Sequence, residues 1–345
     1  MAKLLSKLTG IKQDSRTFSP NEGVACSKTL VGIEVECENA VDFSRKARDL
    51  ELWKNANERS LRNNGVEYVT QPVMGNDIIR ALDELAVVVA ASKPAPECTD
   101  RTGLHVHLDF RSETVQSLYR FIIVYLVFEK FLFSQCEDGR EDNAYCIPLG
   151  MCEDLLRDLS RILSRSDTTA KRFIQNFPKY TAMNLLSLMN LGTVEIRMHE
   201  GTVDSSVILK WVNLLLSIKK YACETEATPQ NLIDFVCASP EEYFTTVFGE
   251  FTDVPYSNDV FNGMLEGARA AQYSYRKKDI RMLDGESLVK TLYGIDFNTY
   301  HGTDTDSDLV RELDSIFDPV RPRRIGATTV TARRASVLTG GTADF

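Results

Sequence analysis

Apolar and polar residues alternate strictly over three well-separated stretches of the chain. In residues 29–38 (TLVGIEVECE), Val31, Ile33, Val35 and Cys37 share one face of an extended strand. Gly32, Glu34, Glu36 and Glu38 share the other. In residues 102–110 (TGLHVHLDF), Leu104, Val106, Leu108 and Phe110 oppose Gly103, His105, His107 and Asp109. In residues 193–200 (TVEIRMHE), Val194, Ile196 and Met198 oppose Glu195, Arg197 and His199. A shorter run, GVEYVTQP, puts Glu67, Val69 and Gln71 on one side and stops at Pro72. Period-two alternation predicts half-buried strands.

Helical spacing fills the intervals. Residues 77–91 carry Ile78, Leu82, Leu85 and Val89 on one stripe, with Asn76 as the expected cap. Residues 114–134 are apolar almost all round, which predicts a deeply buried helix. Residues 153–164 are amphipathic, and residues 205–222 form a second greasy helix preceded by Asp204. Helices of this kind cover the apolar face of a sheet and leave the polar face for chemistry. The expected class is α+β, with antiparallel or mixed strands and helices behind them.

The ends of the chain read differently. Residues 1–22 look like a polar arm, 23–230 a catalytic domain, and 231–318 a mainly helical extension containing a surface His301. Residues 319–345 look like a flexible basic tail, with five arginines against one aspartate. An ArgArgAlaSer match to a kinase site at 333–336 is a common chance pattern.

Composition narrows the function. A net charge of -9 argues against general nucleic-acid binding. The start, MAKLLSKLTG, is too short and interrupted for a signal peptide. The greasiest run, residues 121–128, is far shorter than the roughly 20 residues that cross a bilayer. Eight cysteines without an export signal or a CxxC pair predict reduced thiols in the cytoplasm. Cys136, Cys146 and Cys152 fit no usual zinc spacing and read as buried thiols. A Walker loop and a GxGxxG are both absent, so any nucleotide is held by metals and side chains.

The three polar faces are the candidate chemistry. Carboxylates and imidazoles with one arginine solvate a sheet poorly and coordinate cations well, and unscreened glutamates would repel one another. A metal or phosphate site therefore stands against a merely solvated face. Excess carboxylate oxygen favours Mg²⁺ or Mn²⁺ over Zn²⁺. Such ions neutralise nucleotide phosphates, and arginine stabilises charge on a phosphoryl group in transfer. His199 and Glu38, near strand ends, read as structural. A cupin would need a Glu soon after HxH, and a metal-dependent hydrolase barrel would need more histidines and a βα repeat.

Glu34-x-Glu36, Gly103-Leu104-His105-Val106-His107 and Glu195-x-Arg197 resemble the ExE, GxHxH and ExR signatures of glutamine-synthetase-like carboxylate–amine ligases. The likeness is closest to the amidoligase branch met in phage and bacterial genomes, and spans about residues 30–220. It implies a curved glutamine-synthetase-like sheet with an open active-site face. It implies two divalent cations, Mg²⁺ or Mn²⁺, held by Glu34, Glu36, Glu67, His105 and Glu195. His105 and His107 would lie at the ATP phosphates or substrate, and Arg197 would grip the moving phosphate, so that Arg197, Glu195 and Glu36 carry catalysis. Arg140, Asn143 and Tyr145 resemble the family's RxxNxY loop for substrate or nucleotide, and Tyr180 and Asn184 match a further segment. The family often has Asp-Gly-Ser ahead of its GxE strand, where this chain has Glu58, Arg59 and Ser60.

The expected activity is ATP-dependent amide-bond formation through an acyl phosphate, on amino-acid, peptide or cell-wall-type carboxylates and amines. The expected location is the cytoplasm, a host's if the gene is a phage's, with no nucleic-acid or membrane partner. The alternatives are an inactive nucleotide- or metal-binding or structural protein on the same fold, and a phosphotransferase acting on a guanidino or amino group.

Overall fold

The computed structural model of the protein describes residues 3–40, 50–56 and 60–275. The expectations for residues 276–345, His301 and the basic tail among them, lie outside the described residues, as do Glu58 and Arg59. Six strands form one sheet: β1 (Val31–Cys37), β2 (Trp53–Ala56), β3 (Val66–Thr70), β4 (Gly103–Asp109), β5 (Met183–Asn184) and β6 (Thr193–Glu200). Their order is β2-β3-β1-β4-β6-β5, and every neighbouring pair is antiparallel. Around the sheet run α1 (Leu5–Thr9), α2 (Asn76–Ala91), α3 (Val115–Phe133), α4 (Glu153–Leu159), α5 (Asp167–Gln175) and α6 (Ser187–Asn190). They are followed by α7 (Ser205–Glu224), α8 (Pro229–Ala238), α9 (Pro240–Phe248) and α10 (Asn258–Tyr275).

Alternation dictates the layering. Val31, Ile33, Val35, Leu104, Val106, Leu108, Val194 and Ile196 are all fully buried. Each large apolar side chain so removed from water contributes about 1.5–3 kcal/mol. Helices α3 and α7 lie against this face. The Phe110 and Phe121 rings are 5.0 Å apart, and Tyr125 Oη donates to Met198 Sδ at 3.6 Å. Thr114 caps α3 by accepting from Ser117 N, and Asp204 caps α7 by accepting from Ser206 N and Val207 N.

Helix α3 is buried nearly all round because α10 packs on it as well. A Cβ at Gly267 would fall 2.0 Å from the Leu126 carbonyl oxygen, so only glycine permits that approach. Phe128, Phe131, Phe244 and Phe248 close an aromatic cluster between α3 and α9.

Three local expectations change. Asn76 opens α2 instead of capping it; the preceding Gly75 has φ +53°, and a Cβ there would lie 2.2 Å from Ser19 O. The helix expected over 153–164 ends at Leu159 and tightens into a 3₁₀ turn over Ser160–Leu163. The polar arm is docked: Leu5 and Leu8 are buried, Leu4 bridges to Thr114, and Arg16 donates to Pro72 O at 2.8 Å. No helix among the described residues is long and apolar enough to cross a membrane.

Candidate active site

Strand register assembles the site from distant parts of the chain. Glu34 stands opposite His105, Glu36 opposite Glu67, and His107 between Gly32 on one side and Glu195 on the other. Directly opposed residues share a face, so seven charged or imidazole groups of four strands meet there once Arg197 is included. Gly32 makes room: a Cβ in its place would lie 3.3 Å from His107 Cβ.

The centre of this cluster is Glu34. Its Oε2 lies 3.3 Å from His105 Nδ1, and its Oε1 lies 3.2 Å from His107 Nε2. The second contact is within ion-pair distance but off the line a hydrogen bond needs, which leaves the buried His107 Nε2 without a hydrogen-bond partner. His105 also comes within 4.0 Å of Glu36 and of Glu195. Two donor triads result, Glu34 with Glu67 and His105, and Glu34 with His107 and Glu195. The offered atoms of each triad lie within 4.8 Å of one another.

Framework groups hold the outer side of these ligands. Gly103 N donates to Glu36 Oε2 at 2.8 Å. Asn184 Nδ2 and Ser187 Oγ donate to Glu195 Oε2 at 2.9 and 2.8 Å, and Arg197 donates to Glu195 Oε1. His107 Nδ1 and Thr193 Oγ1 are 2.9 Å apart, so Nε2 turns toward Glu34. One atom tied to the frame and one facing inward is the arrangement that orients metal ligands. Glu36, His105, His107 and Glu195 are buried, while Glu34, Glu67 and Arg197 keep partial exposure. The face thus reaches solvent at Glu34, Glu67 and Arg197.

The electrostatics favour retained charge. Burial pushes the Glu34 carboxyl up, but the His105 and His107 imidazoles outweigh it and hold it well below the usual range. Glu195 follows the same logic: burial raises it, and His107, Arg197, His105 and the Ser187 hydroxyl bring it below its ordinary value. For His107, burial acts to lower the pKa, but the Glu34 carboxylate prevails and raises it. An inward-facing imidazole nitrogen without a hydrogen bond, beside carboxylates that stay ionised, fits divalent cations in both triads.

A β-bulge decides which residues of β6 join. Leu104 pairs with His199 and Val106 with Ile196, so Arg197 and Met198 together oppose His105. Beyond the bulge the phase inverts. His199 leaves the site face and packs on Trp211 of α7, 4.8 Å between centroids, with Nδ1 2.9 Å from Glu200 O. Burial keeps its pKa below the ordinary value. Glu38 accepts from Arg62 N at 2.8 Å and so holds the turn before β3.

The RxxNxY loop lies beside β6. Arg140 spends its guanidinium on the Met198 and His199 carbonyls, at 2.9 and 3.1 Å. Asn143 Oδ1 accepts from Tyr145 N, and the exposed Tyr145 and Tyr180 rings meet edge to face at 5.5 Å. Next to Tyr180, Thr181 bridges Ile147, and Ala182 O accepts from Arg197 N at 2.8 Å.

A family model described as "Putative amidoligase enzyme" matches residues 34–219, more than half of the chain. The protein belongs to the amidoligase family. The match begins at Glu34 itself and ends within α7, so it takes in every member of both triads. No curated protein matches this amidoligase. Sequence reasoning missed two positioning groups of its site, Ser187 and Thr193. Their signal was a hydroxyl inside an otherwise apolar run, LLSLMN, and at the first position of TVEIRMHE.

Proposed function

We propose that this amidoligase joins a carboxylate to an amine at the expense of ATP, through an acyl phosphate. The observation that carries the reading is Glu34, whose two oxygens face two different imidazoles at 3.3 and 3.2 Å. One carboxylate shared between two triads suits a pair of cations at a polyphosphate.

Mg²⁺ or Mn²⁺ bound there, by Glu34, Glu67 and His105 and by Glu34, His107 and Glu195, with Glu36 alongside, supplies neutralising charge to the phosphates. Arg197 lies at the partly exposed edge of the cluster, and its buried Nε has no hydrogen-bond partner. The part of the guanidinium that keeps exposure is the part that would meet the phosphoryl group in transfer. Glu195, fixed by Asn184 and Ser187, keeps the guanidinium in place.

In the reaction a substrate carboxylate oxygen attacks the γ-phosphorus and ADP leaves. The amine nitrogen then attacks the acyl carbon, the C–O bond to phosphate breaks, and the surplus proton passes to water. Tyr145 and Tyr180, an exposed ring pair on the segments that run beside β6, offer an aromatic surface for a planar or apolar part of nucleotide or substrate. Amino acids, peptides and cell-wall fragments are the substrate classes that supply both a carboxylate and an amine.

The test is ADP release and product mass from purified protein given ATP, Mg²⁺ and pooled amino acids and peptides. The reading predicts ADP together with a new amide, both lost in Glu34→Ala. Equal rates for wild type and variant contradict it. A phosphorylated acceptor without amide would identify a phosphotransferase, and nucleotide binding without ADP an inactive binding protein.

A further inference from the structure

Cys37 ends β1, and the chain returns beside it in residues 97–102, just before β4. Glu38 and Glu97 bridge antiparallel, with N–H donated each way at 2.8 and 2.9 Å. They are therefore a hydrogen-bonded pair, and the next rung, Cys37 opposite Cys98, is a non-hydrogen-bonded one. In such a rung the Cα atoms approach to about 4.5 Å and the side chains share a face. A disulfide spans roughly 4.4–6.8 Å between Cα atoms. The register thus places the two sulfurs to meet across this rung. Four other cysteines use their sulfurs differently: Cys26 on the Thr29 hydroxyl, and Cys136, Cys146 and Cys152 on backbone carbonyls.

Access separates the two partners, since Cys37 is buried and Cys98 exposed. We propose that Cys98 and Cys37 are an oxidant-sensitive pair, in which Cys98 meets a peroxide and Cys37 resolves the product to an intramolecular disulfide. The Cys98 thiolate attacks one peroxide oxygen, the O–O bond breaks, and Cys98 becomes a sulfenic acid while hydroxide leaves as water. The Cys37 sulfur then attacks the Cys98 sulfur. The S–O bond breaks, and the leaving oxygen departs as water with the Cys37 proton. Two thiols have given two electrons and two protons, and one hydrogen peroxide has become two waters.

The location gives the bond consequence. Cys37 follows Glu36, and Cys98 lies in the segment leading to Gly103, whose N–H grips Glu36 Oε2. A disulfide would tie these two parts of the site's frame together. The inference does not depend on the ligase reading, because its readout is covalent.

The experiment treats the reduced full chain with hydrogen peroxide, alkylates remaining thiols under denaturing conditions, and maps unreduced peptides by mass spectrometry. The expected result is a Cys37–Cys98 cross-linked peptide, two fewer alkylated thiols per chain, and full recovery on dithiothreitol. In Cys98→Ser the Cys37 thiol should be oxidised at least about tenfold more slowly, because it has lost the exposed partner. In Cys37→Ser, Cys98 should stop at a sulfenic acid that dimedone traps. Wild-type protein that ends with oxidised Cys98 and an intact Cys37 thiol would overturn the proposal. So would equal oxidation of Cys37 with and without Cys98. Should Cys37→Ser fail to fold, the wild-type map and Cys98→Ser decide the matter.

Discussion

Carboxylates enclosed in two regions of this molecule behave in opposite ways. On the sheet face, Glu34 and Glu195 are held below their ordinary pKa although burial works against them, because imidazoles and a guanidinium surround them. Within α3, Glu129 is fully enclosed. It accepts from Leu149 N and Gly150 N, both at 2.7 Å, and burial nevertheless pushes it up to about 7. Two neutral N–H donors and Tyr125 do not offset the desolvation that cationic partners offset at the sheet. The contrast separates a structural clamp on a loop from a cluster organised to keep negative charge, and only the second suits cations.

Breaking the sheet cluster should have the largest effect. Glu34→Ala removes a ligand from both triads, and cation affinity should fall by at least about 100-fold, as measured by calorimetric titration with Mn²⁺. ADP release should be lost with it. A fall under tenfold would mean that Glu34 is not shared.

At Glu129 the comparison is sharpened by pH. Its folded pKa, about 7, lies above the ordinary carboxylate value near 4.5. Between those values the folded state holds a proton that the unfolded chain has lost, so stability declines as pH rises from 4.5 through 7. A gap of that size amounts to about 3 kcal/mol. Glu129→Gln is neutral throughout. Urea unfolding of both proteins at pH 5 and pH 8 should show their stability difference moving toward the variant by about 3 kcal/mol at most. A difference independent of pH would show that Glu129 titrates normally.

Smaller effects should come from the frame. Ser187→Ala removes one of two donors on Glu195 Oε2 and should weaken Mn²⁺ binding roughly tenfold, with the fold intact by circular dichroism. Ser187→Thr, which keeps a hydroxyl, should recover most of it. Smallest of all is His199→Gln. The bulge takes His199 to the helix side, so cation affinity should stay within about twofold; a loss comparable to that of a site histidine would contradict the bulge.

The sheet was legible where alternation ran uninterrupted. Residues 31–37 and 103–109 obey period two to the end, so the sequence alone puts Glu34 with Glu36 on one face of its strand and His105 with His107 on one face of theirs; the pairing of β1 with β4 joins the two faces. Strand β6 obeys it only as far as Arg197. A bulge inserts one residue without changing composition, and nothing in TVEIRMHE marks it. Strands β2 and β5, four and two residues long, exist because neighbours pair with them, and WKNA and MN carry no periodicity of their own. The same limit hid Ser187, which reaches Glu195 only because α6 folds back beside β6. Arg140 was legible as a motif residue, but its bonds to two β6 carbonyls depend on a loop path that spacing does not encode.

The central claim is that Glu34 joins two cation positions, and counting bound Mn²⁺ tests it most directly. Equilibrium dialysis with ADP present, read together with the electron paramagnetic resonance spectrum, should give two spin-coupled ions per chain. One ion should remain in Glu67→Ala and none in Glu34→Ala. A single ion in the wild type, or two retained in Glu34→Ala, would contradict the account.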